Sequence, residues 1–95
     1  MNISDLIKDQ YYTYNNNQYS FILKAYGRDA KADNIGTPVI KGYSNHFCME
    51  GYFNSCTGFK PATQQQINWL NACIKANKFI PESEVKSITP EYSIF

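Results

Sequence analysis

His46 and Cys48 stand two residues apart in the run Asn45-His46-Phe47-Cys48-Met49. On an extended strand alternate side chains share a face, so this spacing sets an imidazole beside a thiol. Such a pair could serve as a nucleophile with its base, or as two ligands of a zinc ion. Catalysis also needs an acid to orient the base and donors for an oxyanion, and zinc needs a third and fourth ligand. His46 is the single histidine of the chain, and only Cys56 and Cys73 remain, with no Cys-x-x-Cys spacing. The residues therefore point to no catalytic set, no metal site and no cofactor, and the chain reads as a non-enzyme. Cys73 and Cys48 read instead as small buried hydrophobes.

What remains is recognition. Ninety-five residues, 43% hydrophobic and 16% aromatic, are enough to fold and too few to divide between two cores, so residues 1–95 form a single domain. Nine Lys and Arg against eight Asp and Glu leave a charge of +1, far from the basic surplus that phosphate binding draws on. Three cysteines without a disulfide framework, and a start at Met1 with no apolar leader, give the expectation of a cytoplasmic protein. No apolar run approaches the roughly 20 residues of a membrane span. Tyr11, Tyr12, Tyr14, Tyr19, Tyr26, Tyr43 and Tyr52 are more than one small interior can hide, and those that reach the surface are candidate partner contacts. With the nearby cations the candidate partner-binding set is Tyr26, Arg28, Lys31, Lys41, Tyr43 and Tyr52. The alternative use of the same residues, joined by Lys24, is base stacking on a single-stranded nucleic acid by a small β-barrel. Asp29, Asp33 and Glu50 lie among those cations and dilute their field.

These residues must be positioned by short elements. Ile3, Leu6 and Ile7 share a helical face, which predicts a short helix within residues 1–10. Tyr11–Tyr14 and Tyr19–Tyr26 flank three asparagines and predict a hairpin, with Tyr19, Phe21, Leu23 and Ala25 on its core side. Residues 27–37 are polar, lack an apolar period and end in Gly36, Thr37 and Pro38, which predicts a long binding loop. Val39–Tyr43 and Phe47–Phe53 predict two more strands, curved or bulged at Gly42 and Gly51. Within 63–77, Thr63 and Gln66 form a capping box for a helix whose stripe is Ile67, Leu70, Cys73 and Ile74. Trp69 lies beside that stripe and reads first as core, with a partner anchor as the alternative. Phe79 and Ile80 fold back on the core, and Pro81 could open a short helix in the 81–95 tail. The class is α+β: a curved antiparallel sheet or partly open barrel of four to five strands over residues 11–60, with a C-terminal amphipathic helix and short flanking helices.

The run Ala62-Thr63, Gln66, Trp69-Leu70, Cys73-Ile74 and Phe79-Ile80 resembles the C-terminal module of small proteins encoded by phages and prophages of Bacteroidota. There an Ala-Thr pair precedes Glu or Gln, then Trp-Leu, Cys-Ile and a closing Phe-Ile. The upstream order, Ile3-Ser4-Asp5-Leu6 followed by a Tyr-rich hairpin, is similar too, so the likeness spans most of residues 1–86 and is specific over 62–80. Acidic residues are commoner where this chain has Gln64 to Gln66, which leaves the helix start less negative. The resemblance implies a mobile-element accessory protein and, as partner, a host-defence effector. The specific expectation is an anti-CRISPR inhibitor of a type VI-B RNA-guided, RNA-cutting nuclease.

Overall fold

The computed structural model describes residues 2–85. A 3-10 turn at Ile3–Asp5 leads into β1 (Tyr11–Asn15), β2 (Tyr19–Ala25), β3 (Lys31–Pro38), β4 (His46–Tyr52), β5 (Lys60–Pro61) and the helix α1 (Gln64–Ala76). The strands form one antiparallel sheet of five in the order β4-β3-β2-β1-β5. The fold is α+β, as expected, but the sheet stays open: β4 and β5 are its two edges and do not pair to close a barrel. The expected tail over 81–95 is described only to Val85, with a helical turn at 82–85, and the rest lies outside the described residues.

The β1–β2 hairpin forms where the aromatic and β-branched runs predict it. Asn16 makes the reversal, its side-chain oxygen accepting the N–H groups of Gln18 (2.8 Å) and Tyr19 (2.7 Å), the local capping for which Asn is favoured in turns. The core assignment of β2 is half of the answer, because both sheet faces are buried. Leu23 and Ala25 join Leu6, Tyr12, Ala32, Phe53 and Phe59 on one side. Ile22 and Ile35 join Leu70 and Cys73 of α1 on the other.

Three expectations are corrected. The first helix is a single turn: Leu6 is already extended (φ −72°, ψ 134°), and Ile7 is 63% exposed and so adds nothing to a buried helical stripe. The chain is drawn into the sheet instead, with the Asp9 N–H on the Ala25 carbonyl and the Ala25 N–H on that of Gln10. Residues 27–37 are not a binding loop. Only 27–30 turn, with Gly27, Asp29 and Ala30 at positive φ, and the following residues are β3, between β2 and β4 and buried from Ala32 to Gly36. Its polar side chains bond inward: the Asp33 carboxylate accepts the Tyr26 hydroxyl (2.6 Å) and the Glu50 N–H (3.0 Å), and the Asn34 amide donates to the Ala32 and Cys48 carbonyls. Third, Val39–Tyr43 is not a strand but part of an exposed connection, with Gly42 at φ 93°.

The curvature expected near Gly51 is a bulge of the neighbouring pair. Between the partners Ala32↔Gly51 and Asn34↔Cys48, β4 spends Met49 and Glu50 against the single Asp33. Glu50 takes φ 57° there. The extra residue sharpens the local twist, and Asp33 holds the bulge by accepting the Glu50 amide.

Helix α1 begins as its capping box predicts. Thr63 Oγ1 accepts the Gln66 N–H (3.2 Å), while Gln66 Oε1 accepts the Thr63 N–H (2.8 Å). Asn77 ends the helix in the left-handed conformation, φ 56°, as Gly or Asn does at helix ends. Leu70 and Cys73 carry the stripe fully buried, with Ile67 and Ile74 half-buried beside them. Trp69 belongs to this core: its Nε1–H donates to the Ile80 carbonyl at 2.6 Å and its ring meets Phe79 edge-on. That bond ties residues 79–80 back along the helix.

Candidate functional site

The candidate partner contacts fall into two groups at opposite ends of the sheet. Tyr26, Arg28, Lys31 and Tyr52 gather at the β2–β3 turn, because Lys31 pairs with Tyr52 across β3 and β4. Lys41 and Tyr43 lie in the connection after Pro38, at the other end of β3. At about 3.3 Å per residue the eight residues of β3 separate the groups by roughly 23 Å.

In the first group most polar ends are already committed. The Tyr26 hydroxyl is held by Asp33, and burial together with that carboxylate pushes its pKa far above the usual phenol range. Arg28 pairs with Asp29 at 3.2 Å, both well exposed, a type of ion pair that adds little to stability. The Lys31 ammonium sits 3.9 Å from Glu50 and 5.3 Å from the centre of the Tyr52 ring. Tyr52 itself is 65% exposed.

In the second group the exposed connection is tethered to the β1–β2 hairpin. The Val39 N–H donates to the Gln18 carbonyl (2.9 Å), the Tyr19 hydroxyl to the Ser44 carbonyl (3.0 Å), and Gln18 Nε2 to the Tyr43 hydroxyl (3.2 Å). Tyr19 also meets Tyr43 and His46 ring to ring, at 5.8 and 6.2 Å between centroids. These bonds hold Val39, Ile40 and Tyr43 outward on an anchored loop.

The residues that sequence reasoning missed are Val39, Ile40 and Met49. Among the described residues six large hydrophobic side chains are exposed, and five of them, Val39, Ile40, Tyr43, Met49 and Tyr52, fall between residues 39 and 52. They follow the β4 edge from the loop to the end of the strand. The available signal was Pro38 before Val39-Ile40 and Gly42 after it: an apolar pair between a strand-ending proline and a turn glycine has no ladder to join.

His46 and Cys48 do lie on one face of β4, opposite Gly36 and Asn34 respectively. Their surroundings differ. His46 lies against the Tyr19 and Phe21 rings, and burial holds its pKa below the usual imidazole value. The Cys48 thiol is placed to donate to the neighbouring Met49 carbonyl (3.4 Å). Cys48 is half-buried rather than buried, whereas Cys73 is fully buried and its thiol pushed up by burial. Among the described residues no three His, Cys, Asp or Glu side chains come together as metal ligands, and no helix is long and apolar enough to cross a membrane.

Comparison with protein-family models, with curated proteins and with solved structures finds no match to this chain.

Proposed function

We propose that the chain is a protein-binding module whose contact surface is the β4 edge with the loop before it, from Val39 to Tyr52. The observation that carries this reading is the concentration there of exposed large hydrophobic side chains, five of the six among the described residues. Exposed apolar patches of this kind mark association sites, and an edge strand adds backbone donors and acceptors that a partner can pair. The bulge at Glu50 interrupts that backbone row, which assigns most of the contact to side chains.

The partner rests on the resemblance to small phage and prophage products. It is a host-defence effector, first of all an RNA-guided RNA-cutting nuclease, which the chain would inhibit by stoichiometric binding. The nucleic-acid alternative is less well supported, since Lys31 and Arg28 are each paired with a carboxylate and the sheet is not a closed barrel. The test is capture of the purified nuclease, with and without its guide, by the tagged chain. Ile40→Asp and Tyr52→Ala should each weaken capture at least tenfold, mostly through a faster off-rate, while Lys75→Glu on α1 leaves it unchanged. Tight, steeply salt-dependent binding of naked guide RNA with no capture of the nuclease would replace this reading with the nucleic-acid one.

A further inference from the structure

The sheet face on which α1 packs also carries a cleft beside the helix, away from the β4 edge. Leu70 and Cys73 lie over Ile22 and Ile35. Toward the β1–β2 turn the helix leaves an open cleft of about 340 Å³ between the sheet and the residues Gln66, Trp69 and Glu82. That volume is at the low end of small-molecule sites, roughly 300–1,000 Å³. We propose that this cleft binds a neutral, hydroxyl-rich ligand, a saccharide unit.

The cross-strand register builds the floor in two rows. Thr13, Ile22 and Ile35 form one row and Asn15, Ser20 and Thr37 the next. The inner row is mainly apolar and the outer one wholly polar, a combination that suits a ring with an apolar face and hydroxyls at its margin. The Thr13, Ser20 and Thr37 hydroxyls have no bonded partner among the described residues, so each can both donate and accept.

The remaining polar groups select among ligands. Gln66 Oε1 already accepts the Thr63 N–H, so its NH₂, with no bonded partner among the described residues, is the freer end in the cleft and a donor only. Glu82 is an acceptor only, its other engagement being the Gln65 amide at 3.1 Å. Trp69 has spent its N–H on Ile80 and offers only an apolar ring surface. An anion would meet Glu82, and no Lys or Arg side chain lines the cleft among the described residues. A guanidinium or ammonium would satisfy Glu82 but has no acceptor for the Gln66 donor. A pair of ligand hydroxyls does both, donating to Glu82 and accepting from Gln66.

The test is a titration of the ¹⁵N-labelled chain with methyl glucoside, methyl galactoside and N-acetylglucosamine, beside inorganic phosphate and N-acetyl-argininamide. At least one neutral sugar should produce saturable shifts at the Thr13, Thr37 and Gln66 amides and the Trp69 indole. Thr37→Val and Glu82→Gln should each weaken that binding about tenfold, with urea midpoints unchanged. Absence of saturable shifts with all three sugars, tighter binding of phosphate or argininamide at these residues, or variants that bind as wild type would overturn the assignment. The test is independent of the contact surface above, because Ile40→Asp and Tyr52→Ala leave the cleft lining intact.

Discussion

Replacing Gly51 by Ala puts two opposing effects in one methyl group, and the structure says which wins. Gly51 does not occupy the left-handed region, so its backbone admits Ala, and the lost unfolded-state entropy alone would stabilise the fold by about 0.4–1 kcal/mol. The added Cβ, however, would lie 2.6 Å from Asn34 Nδ2 and 3.3 Å from Cys48 Sγ. Asn34 is 1% exposed, and its Nδ2 is bound to the Ala32 carbonyl at 3.1 Å and that of Cys48 at 3.4 Å. Making room means turning the amide away from both acceptors. At roughly 0.5–1.5 kcal/mol per hydrogen bond, and more for a buried group left unpaired, the clash outweighs the entropy and Gly51→Ala should destabilise by about 2 kcal/mol. In urea, with a slope of about 1–3 kcal/mol/M, the midpoint should fall by roughly 0.7–2 M at constant slope. A double-mutant cycle isolates the cause. With Asn34→Ala in place only the milder Cys48 Sγ contact at 3.3 Å remains, and the same Gly51→Ala change should lose most of its penalty. An equal penalty in both backgrounds, or none in the wild type, would refute the reasoning.

Thr63→Ala removes the helix cap and should cost about 1 kcal/mol, read as a lower urea midpoint with partner capture unchanged. Trp69→Phe keeps an aromatic ring beside Phe79 but leaves the Ile80 carbonyl, which accepts the indole N–H at 2.6 Å, with only the weak Cys73 thiol donor at 3.7 Å; a loss of about 1 kcal/mol should appear with faster amide exchange at 78–80. Because burial depresses the His46 pKa, the unfolded chain takes up the proton first, so stability is full above pH of about 6.5 and declines as pH falls below it toward the folded pKa. His46→Gln should remove that slope between pH 7 and 5, and a slope that survives the substitution would assign it to other groups.

The parts legible in the sequence are those set by local chemistry. A Thr and a Gln three residues apart cap α1 because the geometry is closed within four residues, and the Tyr-rich runs around three asparagines pair because the turn and both strands are contiguous. β3 was illegible for the opposite reason. Its polar side chains look like those of a loop until Tyr26, just past β2, and Glu50 and Cys48 of β4 supply their partners. Tertiary hydrogen bonds turned a polar segment into a central strand, and no period within 27–37 encodes them. The same displacement hides the proposed contact surface: with β3 using 31–38, the apolar pair Val39-Ile40 is left outside the ladder and exposed. Of the candidate site, Tyr43 and Tyr52 were named from composition, whereas Met49 is exposed on the bulged stretch of β4, which the sequence places only through its register with Asp33.

The sheet has two buried faces, so neither its Tyr12 side nor its Ile22 side can offer a broad platform without dismantling a core. For a protein-binding module, as proposed, that leaves edges, loops and the gap at the helix end as contact surfaces. One edge, β5, is only two residues long, too short to template a partner strand. The other, β4, has seven residues and follows a loop fastened by Gln18 and Tyr19. Fastening matters energetically, since ordering a mobile loop or a rotamer-rich side chain on binding costs about 0.5–1.5 kcal/mol for each such side chain. Val39, Ile40 and Tyr43 sit on a loop already held to the hairpin by three hydrogen bonds, two at its backbone and one at the Tyr43 hydroxyl, so a partner that covers them gains their burial with less of that cost subtracted. Under the proposed function, Tyr19 would therefore contribute to recognition without touching the partner, by holding the loop through the Ser44 carbonyl and the Tyr43 ring.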